Sequence, residues 1–185
     1  MKIEHSFAFH EAGHLVIGLK LGLSEQGIVF RPVKPGEVAQ AVYTFKDPDT
    51  SLVRCFAGLL AQLQLLPESI ESHLAHAYRN SIIFEPDHPH FNDLTDEERD
   101  FLSGARTDLI LAREYAKQIV PDDEKGALQC MRASEQTARD LVASAAADIA
   151  AVAKDIITFG SEPEADNPDF VLYSVQRAKE HIQDN

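Results

Sequence analysis

His10 and His14 stand four residues apart, with Glu11 directly after the first, in the run His10-Glu11-Ala12-Gly13-His14. On a helix of about 3.6 residues per turn, positions four apart lie within roughly 40° of each other. Two imidazoles at that spacing can bind one metal ion, and Glu11 falls about 100° round the same helix, beside the ion's open side. The chemistry this allows is that of a zinc hydrolase, with two neutral nitrogen ligands and a carboxylate placed to take a proton from a water molecule at the ion. The same five residues also fit a solvated helix face that carries two histidines by chance.

Catalytic zinc usually takes three protein ligands and keeps a fourth position open. The extended pattern H-E-x-x-H-x-x-G-x-x-H is absent, because Ile17 stands where its glycine would be. On chemistry alone Glu71, Glu114 and several aspartates are eligible as the third ligand. His73 and His76, three apart, and His88 and His90, in a proline-containing stretch, read as exposed polar residues. Ligation by His88 or His90 would instead close the fourth position and make the site structural.

The histidine pair must be carried by a helix over about residues 6–21, capped by Ser6 and ended at Gly22 in a left-handed turn. Its apolar residues spread widely around the axis, so most of its surface is expected to be buried, and a metal ion would compensate the charged face. Gly13 costs about 1 kcal/mol relative to Ala in mid-helix, and with Ala12 it lets another element approach closely. Two β-rich runs, 27–31 and 39–45, flank Pro32-Val33-Lys34-Pro35-Gly36 and predict a small hairpin. An exposed edge there can accept an extended peptide as a further strand, or serve structure alone. A second helix opens at Asp49-Thr50-Ser51 and runs to Pro67, with the small apolar stretch Phe56-Ala57-Gly58-Leu59-Leu60-Ala61 suited to packing on the first.

Further on, 68–79 reads as helix and 80–92 as loop. Thr95-Asp96-Glu97-Glu98 is a capping box, and 103–120 is helical up to Pro121. A short helix follows Pro121. An Ala-rich helix over 134–159 then provides core packing or a subunit contact in a homo-oligomer, and Asn167-Pro168 begins a last helix to about His181. The expectation is a mainly α single domain over residues 1–185 with one small β-hairpin or sheet.

Bulk properties narrow the function. The chain of 185 residues carries a formal net charge of −13 and a pI of about 4.9, which argues against nucleic acid or an anionic membrane as partner. Cys55 and Cys130 are far apart and read as reduced thiols. No apolar run approaches the ~20 residues that span a bilayer, and the first residues lack the order of a signal peptide, so no membrane insertion and a cytoplasmic location are expected.

The run Ala8-Phe9-His10-Glu11-Ala12-Gly13-His14 resembles the peptidase domain of FtsH-type membrane AAA proteases, whose zinc helix reads H-E-A-G-H. In the same order, the predicted hairpin with Arg31 resembles the one after that helix. Ala57-Gly58-Leu59-Leu60-Ala61 resembles the A-G-x-x-A helix, and Gly104-Ala105-Arg106-Thr107-Asp108-Leu109 resembles the G-A-x-N-D-hydrophobic segment. The likeness spans roughly residues 7–120. It implies an FtsH peptidase-like fold and Zn²⁺ held by His10, His14 and Asp108. It also implies hydrolysis of peptide bonds with Glu11 as general base.

The departures qualify that picture. Gln62 replaces the usual Glu after A-G-x-x-A, Thr107 replaces the usual Asn, and the chain between them is longer, which places an insertion at about 67–103. No G-x-x-x-x-G-K-[ST] occurs, since Ile28 follows Gly22 and Gly27 where Lys is required. The expected activity is therefore ATP-independent and directed at unfolded or short polypeptides, and no residue supports a separate ATPase partner. The competing expectation is a catalytically inactive, zinc-stabilised binding or regulatory protein of the same fold.

Overall fold

A computed structural model describes residues 5–30, 40–44, 47–66, 96–160 and 171–183. The first helix, α1, spans His5–Lys20 and is buried from Ala8 through Gly18 apart from Phe9, as its all-round apolar pattern requires. It ends where Gly22 takes φ 73° and the Leu23 amide donates to the Gly18 carbonyl at 2.9 Å. Only glycine adopts that left-handed turn without strain.

The chain then enters β1 (Ser24–Phe30), which pairs antiparallel with β2 (Gln40–Thr44). A register shift falls between Glu25 and Gly27, and Gly27 accommodates it at φ 129°. Helix α2 (Pro48–Leu65) follows. Its cap is Asp47, two residues before the expected opening; the Asp47 carboxylate accepts from the Thr50 amide at 2.8 Å and the Thr50 hydroxyl at 3.0 Å. Pro48 occupies the first turn, where its missing N–H costs nothing.

Helix α3 covers Asp96–Ile119, so the segment expected from 103 is part of a continuous helix that already includes Asp96, Glu97 and Glu98, while Thr95 lies outside the described residues. Helices α4 (Glu124–Ser144) and α5 (Ala146–Phe159) replace the expected short helix after Pro121 and the single Ala-rich helix from Ser134. The cap is Asp123, whose carboxylate accepts from the Gly126 amide at 2.9 Å, so helix begins about ten residues before Ser134. The break falls at Ala145, next to Ser144, whose hydroxyl donates to the Leu141 carbonyl at 2.8 Å, a side-chain bond that bends helices.

The last expected helix is also corrected. Val171–Ser174 is a third strand, β3, antiparallel to β1, and among the described residues of this stretch only Val175–Lys179 forms helix (α6), capped by Ser174. The sheet order is β2-β1-β3. Tyr173 of the third strand is fully buried in the core. The expected Asn167-Pro168 start, the turn between β1 and β2, the 68–79 helix and most of the insertion at 67–103 lie outside the described residues.

The described part is mainly helical with one small antiparallel sheet, as expected. Helix α1 packs against α2 on one side and α5 on another, while α2 also meets α3 and α4. Lys20 at the end of α1 pairs with Asp148 of α5 at 2.9 Å. Among the described residues no helix is long and apolar enough to cross a membrane.

Candidate metal centre

The α1–α2 contact builds the site. A β-carbon on Gly13 would stand 2.6 Å from both the Ala57 carbonyl oxygen and the Ala61 β-carbon, so the two helices meet at backbone distance there. Beside this contact, Ser6, His10 and His14 form one stripe of period four on α1, and Arg54, Gly58 and Gln62 form another on α2. The stripes touch in opposite order. Gln62 meets Ser6 and His10, Gly58 faces both imidazoles, and the Arg54 carbonyl meets His14.

Asp108 completes the cluster from α3. His10 Nε2 and His14 Nε2 are 3.1 Å apart, and each lies 3.0 Å from Asp108 Oδ2. The His10 and His14 side chains are 11% and 4% exposed and Asp108 18%, so the cluster is largely shielded from solvent. Glu11 is 5% exposed, and its charge is felt at His10. Of the other residues named as eligible third ligands, Glu114 is solvent-exposed on α3 and Glu71 lies outside the described residues, as do His73, His76, His88 and His90.

These donors fit a zinc ion. The Arg54 carbonyl can only accept, so His14 Nδ1, 3.0 Å away, carries the proton and leaves Nε2 as a lone pair. His10 Nδ1 is likewise engaged, with Gln62 Oε1 at 3.1 Å. Lone pairs of His14 Nε2 and Asp108 Oδ2 therefore converge within 3.0 Å, an arrangement that needs a cation or proton between them. A tetrahedral zinc with bonds of about 2.0–2.1 Å holds its ligands about 3.3 Å apart, close to the spacing here.

Titration behaviour follows from the same geometry. Burial pushes the His10 imidazolium down, but the hydrogen bond and charge of Asp108, with the charge of Glu11, more than reverse this and raise its pKa to about 9. Burial keeps His14 below its ordinary value, helped by the charges of His10 and Arg54 against the pull of Asp108. Burial also opposes ionisation of Asp108, yet the His14 and His10 imidazoles outweigh it and hold the carboxyl well below the usual range. Without metal, His10 is thus the imidazole of the pair that holds the extra proton, while His14 stays neutral. Cys55 on α2 is pushed up to about 12 by burial and by the Asp108 charge, and stays a protonated thiol.

Two contributors escape a reading of ligand motifs. The Arg54 backbone carbonyl carries no side-chain signature, and Gln62 reads as a lost charge until its amide is seen beside His10. The signal that could have found Gly58 and Gln62 is their period-four spacing with Arg54, which mirrors the histidine spacing on α1.

Comparison with family models, curated proteins and solved structures finds no match to this chain.

Proposed function

We propose that the protein is a zinc metallopeptidase that hydrolyses peptide bonds in unfolded or short polypeptides, with an FtsH peptidase-like fold. The observation that carries this reading is the convergence of His10 Nε2, His14 Nε2 and Asp108 Oδ2 within 3.0–3.1 Å of one another, with Glu11 on the same helix as the two histidines. Two imidazoles and one carboxylate are the donor set of catalytic rather than closed structural zinc sites.

Zinc held there supplies a Lewis acid that acidifies water and polarises a peptide carbonyl. The chain's own residues do the rest. His14 is oriented by the Arg54 carbonyl and His10 by Gln62, so neither ring turns away from the cluster. The Glu11 carboxylate takes a proton from the attacking water and delivers it to the leaving amine nitrogen. Asp108 is the most exposed of the three donors.

The test is hydrolysis of a denatured protein such as casein by the zinc-loaded chain. Cleavage that a chelator stops and added zinc restores supports the reading. Zinc-replete protein that cleaves nothing leaves a zinc-stabilised binding or regulatory protein.

A further inference from the structure

Gln62 is 8% exposed and makes two hydrogen bonds of opposite sense. Its Nε2 donates to the Ser6 carbonyl oxygen at 2.9 Å, and its Oε1 lies 3.1 Å from His10 Nδ1. The Ser6 carbonyl has no proton to give, so the amide can face it only with its NH₂ end. That orientation turns the amide oxygen toward His10, and an oxygen acceptor there requires a proton on Nδ1. When the ring gives up its other proton, as it must to bind a metal, Nε2 becomes the lone pair, and Nε2 is the atom that faces His14 and Asp108.

We propose that Gln62 is a positioning residue that sets the tautomer of His10, with its own orientation locked by the Ser6 carbonyl at the start of α1. This rests on the metal-centre reading above. A glutamate at position 62 would still accept from His10 but has no proton to give Ser6 unless it is neutralised. The amide does both at no charge, which makes Gln62 a working part of the centre instead of a gap in it. Ligand-orienting partners of this kind typically change metal affinity about 10- to 100-fold when removed.

Two variants separate setting the tautomer from merely tying down the helix start. Gln62→Leu keeps much of the bulk and removes both hydrogen bonds. Gln62→Glu keeps the acceptor for His10 and removes the donor to Ser6. Zinc affinity is read by competition with a chromophoric chelator, and the His10 ring nitrogens by long-range ¹H–¹⁵N correlation in zinc-loaded protein. The expected result is coordination through His10 Nε2 with a proton on Nδ1 in wild type and Gln62→Glu. Gln62→Glu should hold most of the wild-type affinity, while Gln62→Leu binds about 10- to 100-fold more weakly. If Gln62→Glu loses as much affinity as Gln62→Leu, the residue is only a tether and the proposal is overturned, as it is by Nδ1 coordination in wild type. If wild type binds no zinc, the metal-centre reading fails. The proposal is then decided in metal-free protein, at a pH where the ¹⁵N shifts of His10 show a neutral ring. A proton on Nδ1 there supports it, and one on Nε2 overturns it.

Discussion

A β-carbon on Gly58 would stand 2.5 Å from His14 Nε2, and it would also lie 2.9 Å from His10 Cδ2. The absence of a side chain at this one position of α2 is what lets both imidazoles lie against the helix. Alanine is otherwise favoured over glycine in a helix by about 1 kcal/mol. Gly58→Ala should nevertheless destabilise the protein by about 1–3 kcal/mol through overpacking. It should also weaken zinc binding by at least about tenfold through displaced ligands. Urea unfolding and chelator competition measure the two effects, and a stabilised variant with unchanged zinc affinity would contradict the geometry.

The proton held by His10 must leave when metal binds. With the His10 pKa raised to about 9, and His14 lowered, zinc binding near pH 7.5 should release about one proton. Calorimetric titrations in two buffers of different ionisation enthalpy give that number directly. Asp108→Asn removes the group that raises His10 and should reduce the release toward zero.

Metal-free protein should show a stability maximum near pH 6.5. His10 is raised above its ordinary 6.5, so its contribution is complete below that value and is lost as pH rises through about 9. His14 is lowered, so its burial as the neutral form costs stability as pH falls below its ordinary 6.5. Asp108 is lowered too; its contribution is present above its ordinary 3.8 and is lost as pH falls through its folded value. Melting temperatures of chelator-treated protein across pH should fall on both sides, and Asp108→Asn should flatten the alkaline side.

The histidine pair was legible because four-residue spacing on a helix dictates a shared face. Asp108 was not legible in that way. It lies 94 residues beyond His14, and only the family resemblance pointed to it before the fold placed it 3.0 Å from both rings. Helix α1 and the β1–β2 pair follow from local pattern and turn residues. Strand β3 does not, because Val171–Ser174 is a strand only through pairing with β1, far away in sequence. The start of α4 was displaced because Asp123, in a turn where Asp122 takes φ 62°, caps the helix well before Ser134.

β3 and α6 are held to α5 by a cluster remote in role from the metal centre. Asp155 accepts from Arg177 Nε at 2.6 Å, Arg177 Nη2 at 2.8 Å and the Tyr173 hydroxyl at 2.8 Å, while the Arg177 guanidinium lies over the Phe159 and Tyr173 rings. Arg177→Ala should cost about 1–3 kcal/mol in urea unfolding. Zinc affinity should stay at the wild-type level, and a large loss would show that the sheet edge and the metal centre are coupled.

The central claim is that Glu11 performs chemistry at a metal held by other residues. It is tested most directly by measuring zinc content and casein cleavage side by side in wild type and Glu11→Gln. The account predicts about one zinc per chain in both, and a loss of cleavage of about 10²- to 10⁴-fold in Glu11→Gln. Equal zinc with equal cleavage, or stoichiometric zinc with no cleavage in wild type, would contradict it.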